Sequence, residues 1–272
     1  MVYRVVAPPY MNSRPLVWGL RQDSNACCAF SVPSSIARML EAREIHAGLV
    51  SIAALFTNPR LAIVSDISIS CEGQAESVKI FHKVPVEQIR TVALDTSSLT
   101  SVLLARIILQ ERFGLTPKYV SMRPVIPRML ETCDAAVTIG DVTMCADSRD
   151  YEAVDLGQEW YNLTGLPFVF AVWALDREMY SDGLIYALLR SKHLGIESLE
   201  EIAQSESQRL GLHKDICYHY LASIMQYDLT DLHLEAIALF RQKALEHCFV
   251  SSKHSIELLG TAGNLGRVPA YE

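Results

Sequence analysis

Short apolar runs alternate with helix-periodic segments over the first two thirds of the chain. "VYRVVA" and "CCAFSV" read as strands, and "SSIARMLEARE", introduced by Pro33 and Ser34, reads as a helix before the strand "AGLVS". Such strand–helix–strand traffic implies a largely parallel sheet. "LAIVSDISIS" and "SVKIFHKV" follow, and their Ile, Val and Phe content favours strands. A second unit opens at "IRTVALD". Its strand ends at Asp95 and runs into Thr96, Ser97 and Ser98, any of which can cap the helix that follows; Arg112 falls in the last turn and Gly114 is placed to stop it. Apolar residues at Leu99, Val102, Leu103, Leu104, Ile107 and Ile108 predict that this helix is mostly buried. "KYVSM", a Pro-started helix "PVIPRML", the strand "DAAVTIG" and the segment "TGLPFVFAVWAL" continue the alternation.

From Asp176 onward the pattern changes to successive helices with i, i+3, i+4 apolar spacing and acidic first turns. With no strands of their own to cover, they are expected to pack back on the first unit. The resulting expectation is an α/β protein of two lobes, residues 1–89 with 175–272 forming one and 90–174 the other. Two crossings join them, and a ligand cleft lies between them.

Composition narrows the partner. Half of the 272 residues are apolar, enough for a sizeable core, and the formal charge of −7 argues against a nucleic-acid or anionic-membrane surface. A small molecule is the expected partner; oligomeric state is not legible. No apolar run reaches eighteen residues and the first strand begins at about Val2 without a leader-like segment, so the chain reads as cytoplasmic. Seven cysteines without a framework spacing read as reduced thiols, mostly in the core. His213 and Cys217 lie four apart but lack a second ligand pair, so no metal site is expected.

Candidate chemistry sits where strands hand over to helices, because exposed N–H groups there favour anions. In "YMNSRPL", Asn12 or Ser13 can cap a short helix with Pro15 in its first turn, or face a ligand. Arg14 can contact a carboxylate or form a surface ion pair. Thr96, Ser97, Ser98, Thr100 and Ser101 place five hydroxyls in six positions at a helix start, suited to a carboxylate or to simple capping. Gly140 permits close approach of a ligand, and Asp141 can cap the next helix. No P-loop, G-x-G-x-x-G, H-E-x-x-H or Ser-His-Asp order is visible.

Taken together, "YMNSRPLVWGL", "ESVKIF", "VALDTSSLTSVLLARIIL", "AAVTIGD" and "DLGQEWYNLTGLPFVFAVWAL" resemble, in order and spacing, the menaquinone-biosynthesis family of the futalosine pathway. The resemblance runs from about Val2 to Leu175. It is nearest the branch that dehydrates chorismate to 3-[(1-carboxyvinyl)oxy]benzoate; the sister branch acting on cyclic dehypoxanthine futalosine opens with a different segment, absent here. The resemblance implies a periplasmic-binding-protein-like (type II) fold and no cofactor. It also implies catalytic roles for Asn12 and Ser77, and substrate contacts from Ser13, Arg14, Thr96, Ser97, Thr100, Ser101, Gly140 and Asp141. The proton acceptor is left between the substrate's own enolpyruvyl carboxylate and Glu76. A non-catalytic binder of an aromatic carboxylate is the alternative, since a fold alone does not define a function.

Overall fold

The computed structural model describes residues 2–146, 151–260 and 265–268. The chain opens with β1 (Tyr3–Ala7), α1 (Arg14–Val17), β2 (Ala26–Phe30), α2 (Pro33–Glu41), β3 (Ala47–Ser51) and the long β4 (Leu61–Cys71). It crosses to a second sheet with β5 (Val78–His82), β6 (Thr91–Asp95), α3 (Leu99–Glu111), β7 (Lys118–Met122), α4 (Ile126–Thr132), β8 (Ala135–Ile139), α5 (Asp141–Met144) and β9 (Glu152–Asp155). Helix α6 (Leu156–Thr164) leads back to β10 (Phe168–Asp176), and α7 (Asp182–Glu197), α8 (Leu199–Leu210), α9 (Lys214–His219), β11 (Met225–Gln226), α10 (Asp231–Glu246), β12 (Glu257–Leu259) and β13 (Leu265–Arg267) complete the fold.

Two sheets result. The first runs β13-β12-β4-β10-β3-β1-β2, with β11 paired on β4; the second runs β7-β6-β8-β5-β9. β1 pairs in parallel with β2 and β3, and β6 in parallel with β7 and β8, as the alternation predicts. The second sheet is covered on both faces, which the period-2 pleat makes visible: Val92 and Leu94 join the large core shared with α3, while Ala93 between them faces a small cluster with Met129 and Leu130 of α4.

The lobe boundaries differ from those expected. β5 belongs to the second sheet and β10 to the first, so the chain crosses within residues 72–77 and returns ahead of Phe168, rather than at 90 and 174. The carboxyl-terminal third also contributes β11, β12 and β13 to the first sheet, where only helices were expected. Its helices do cover that lobe. An edge-to-face aromatic group, with Trp160–Phe168 centroids 5.3 Å and Phe168–Phe240 centroids 4.9 Å apart, ties α6 and β10 to α10. Ser191 of α7 accepts from Gly19 N–H (3.1 Å) and donates to Leu16 C=O (2.9 Å), pinning the segment that follows β1.

The cysteines are all free, but only Cys71, Cys133 and Cys217 are buried, so the expectation of a mostly core set does not hold. Among the described residues, no helix is long and apolar enough to cross a membrane.

Candidate active site

Where the ends of β1, β3, β6 and β8 meet, the two lobes enclose a cavity of about 50 Å³. Tyr10, Asn12, Ser51, Ser77, Ser98, Ser101 and Gly140 supply its polar and close-packed wall; Ile69, Ile139 and Phe170 supply apolar surface. A groove of about 450 Å³ adjoins it, sharing Pro33, Ser51 and Ser98 and reaching Thr96 and Asp95. Pockets for small organic ligands usually measure several hundred Å³, so the cavity as it stands is smaller than a ring-sized ligand.

Each wall residue has a local cause. Asn12 sits on a single 3-10 turn, Met11–Ser13, between β1 and α1, with Pro15 in the first turn of α1 as the sequence predicts. Neither Asn12 nor Ser13 caps α1 through its side chain. Ser13 is buried and points away from the cavity; its hydroxyl is within 2.5 Å of Pro8 C=O and 2.7 Å of Tyr10 C=O, which closes the turn that presents Asn12. Arg14 is likewise turned from the cavity: its Nε lies 3.0 Å from Glu206 and its guanidinium stacks on Phe30.

Ser77 lies at the crossing into β5. Ahead of it, Glu76 holds a positive φ of 59°, and Asp155 clamps this bend: its carboxylate accepts from Ala75 N–H (2.9 Å) and Glu76 N–H (2.8 Å), and also from Gly157 and Gln158 N–H at the start of α6. The first three residues of the "DLGQEW" stretch thus build the Ser77 bend. Gly157 is required there, since a Cβ would fall 2.6 Å from Gly73 C=O and 2.8 Å from Cys71 Sγ. Glu76, one of the two expected proton acceptors, is not among the residues that line the cavity, while Ser77 beside it is.

The hydroxyl run divides by position. Ser98 caps α3 by accepting from Ser101 N–H, and both line the cavity. Thr96 is exposed on the adjoining groove, and Ser97 accepts from Tyr10 O–H across the cleft (3.4 Å). Thr100 is buried and engaged with the first lobe instead of a ligand: its Oγ1 accepts from Ala53 N–H (3.1 Å) and its N–H donates to Ser51 (3.3 Å). Behind the run, burial pushes the Asp95 carboxyl above its usual range, partly opposed by bonds from Ser97.

Gly140 does line the cavity. Its φ of +64° with ψ of −144° suits only glycine, and Tyr10 packs on it, 3.0 Å from where a Cβ would stand. Asp141 follows, but it bridges the lobes instead of facing the cavity, accepting from Met11 N–H (2.9 Å) and from Arg209 (2.6 Å). Arg209 also pairs with Glu206, so Arg14, Glu206, Arg209 and Asp141 form one ion-pair chain across the cleft.

One participant had no sequence signal. Tyr220, buried, accepts from Asn12 Nδ2 (3.2 Å) and donates to Ser77 Oγ (2.8 Å), joining the two expected catalytic residues. It lies in the helical tail, 208 positions from Asn12, and a tyrosine there is indistinguishable from core. Among the described residues, no group of three His, Cys, Asp or Glu is placed to hold a metal ion.

A two-lobed cleft of this kind defines a class shared with known structures. The alkanesulfonate-binding protein of Xanthomonas axonopodis pv. citri, bound to MOPS, matches with TM-score 0.69 at 13% identity, over 92% of this chain and 94% of that one. A protein of Archaeoglobus fulgidus matches with TM-score 0.73 at 15% identity, over 91% and 98%. The fold is therefore periplasmic-binding-protein-like, as the resemblance implied. Residues 3–246 match the menaquinone biosynthesis family, and a chorismate dehydratase of Thermus thermophilus is 32% identical over 238 residues, 80% of this chain and 87% of that protein. The chain belongs to the menaquinone biosynthesis family.

Proposed function

We propose that the protein is a chorismate dehydratase, a hydro-lyase that removes water from chorismate to give 3-[(1-carboxyvinyl)oxy]benzoate. Family membership and the relative of that name support the reaction. One observation carries it to this cleft: the described cavity-lining residues offer hydroxyls and an amide but no Asp, Glu, His or Lys.

That wall suits an elimination in which the substrate brings its own base. The proton leaves the ring carbon that bears the enolpyruvyl ether and passes to the enolpyruvyl carboxylate of the same molecule. Charge spreads through the diene toward the ring carboxylate, the bond to the neighbouring hydroxyl breaks, and proton and hydroxide depart together as water from a ring that is now aromatic. The cavity's task is then to hold one reactive conformer and exclude solvent, a source of rate that needs no protein base. Asn12 donates to the departing hydroxyl. Ser77, Ser101 and the amino-terminal end of α3 stabilise the carboxylate that gains charge, and such donors act more strongly on the transition state than on the ground state.

Asn12→Ala tests the reading. Turnover of chorismate is expected to fall about a hundredfold, the usual order for removing one preorganised donor, with a much smaller change in binding. A non-catalytic binder loses affinity alone, and an unchanged variant removes Asn12 from the site.

A further inference from the structure

Tyr220 is not on the cavity wall, yet it touches the two residues on which the reaction is proposed to depend. Its side chain is 1% exposed. It begins a single π turn, Tyr220–Ile224, that follows α9 and delivers the chain to β11, whose Met225 pairs with Cys71 at the end of β4. π-helical turns are frequently found at functional sites. The Tyr220 side chain spans from the first lobe to the crossing that carries Ser77.

Proton accounting gives this bridge a direction. The Asn12 amide nitrogen can only donate, so its bond fills a lone pair of the Tyr220 oxygen. The phenol has one proton, and it goes to Ser77 Oγ. Ser77 therefore accepts from behind and keeps its own O–H for the cavity that it lines. This direction goes with the Asn12 amide standing with Nδ2 toward Tyr220.

We infer that Tyr220 is a positioning residue that sets the polarity of the Asn12–Tyr220–Ser77 chain, so that Ser77 is presented to the ligand as a hydrogen-bond donor. The catalytic consequence rests on the dehydratase reading; the polarity of the chain does not.

Tyr220→Phe removes the hydroxyl and keeps the ring. Tyr227→Phe is the matched control, because Tyr227 is buried close by and its hydroxyl has no partner among the described residues. With chorismate as substrate, Tyr220→Phe is expected to lower kcat about tenfold or more, to change KM by less than about threefold, and to add little further loss in a Ser77→Ala background; Tyr227→Phe is expected to match wild type. An unchanged kcat, or a loss that multiplies fully with that of Ser77→Ala, overturns the inference.

A second readout needs no substrate. With asparagine selectively labelled with nitrogen-15, the Asn12 side-chain amide signals are expected to shift in Tyr220→Phe and not in Tyr227→Phe. Should Tyr220→Phe fail to fold, Ser77→Ala serves instead: loss of the phenol's acceptor is expected to shift the Asn12 amide, and no shift overturns the chain. If wild type does not turn over chorismate, the functional reading fails while these spectra still decide the role of Tyr220.

Discussion

Gly140 shows how closely single residues are committed to the cleft. Any side chain there meets both a backbone conformation reserved for glycine and the ring of Tyr10 at 3.0 Å. Gly140→Ala is expected to lower stability by about 1–3 kcal/mol, the usual scale for such strain, and to reduce turnover by displacing Tyr10; denaturant titration and steady-state kinetics measure the two effects. At this scale the sequence identified residues by motif, and Asn12, Ser77, Ser101 and Gly140 do stand on one cavity wall. It misjudged those whose partners are remote. Arg14 and Asp141 sit inside the same motifs, but their partners, Glu206 and Arg209 on α8, are chosen by tertiary packing that no local pattern encodes; Ser13 is instead taken up locally, by the Pro8 and Tyr10 carbonyls of its own turn. Tyr220 was invisible for the same reason.

Between elements, two polar clamps hold the frame. Asp155 accepts four backbone N–H groups, joining the Ser77 bend to the start of α6. Asp155→Ala leaves those donors without a partner and is expected to cost about 2–4 kcal/mol in stability, read as a lower urea midpoint, with turnover lost in parallel as Ser77 shifts. The second clamp is His233 in α10. Its Nδ1 accepts from Thr230 at the amino-terminal cap, and its Nε2 lies 3.0 Å from Gln226 on β11, an arrangement that requires the neutral ring.

Burial lowers the pKa of His233, and also that of His254, below the ordinary 6.5. Between the lowered folded value and 6.5 the unfolded chain binds more protons than the folded one, so stability rises with pH there. The contribution is full above about pH 6.5 and is lost as pH falls through the folded value. Melting temperature is expected to drop between pH 7.5 and 5.5, and His233→Gln to flatten part of that slope. The long strands and helices behind these clamps were legible from periodicity. β11, β12 and β13, two or three residues each, are too short to carry any.

For the whole molecule, the ion-pair chain through Arg14, Glu206, Arg209 and Asp141 is one of the contacts between the lobes, its Arg209–Asp141 pair lying beside the Met11–Asp141 and Thr100–Ala53 hydrogen bonds as a link from one to the other. Arg209 is the exposed member of the chain, so its pair with Asp141 is modest alone, yet its place between the lobes biases closure. Arg209→Ala is expected to raise KM for chorismate about fivefold with a smaller effect on kcat, and added salt is expected to act on wild type in the same direction. The two-lobed plan itself was readable from two successive strand–helix units followed by a helical tail. The crossing point was not, because "SVKIFHKV" is equally suited to the edge of the first sheet or the middle of the second. Only the pairing of β5 between β8 and β9 assigns it.

The most direct measurement is to mix the purified protein with chorismate, with no metal or cofactor added, and follow both substrate and product by chromatography with mass detection, with Asn12→Ala run in parallel. The expected result is loss of chorismate and appearance of a substituted benzoate lighter by one water, at a rate about a hundredfold lower in the variant. Chorismate that raises the melting temperature but is recovered intact from the wild-type protein would contradict the proposed reaction and leave a binding protein.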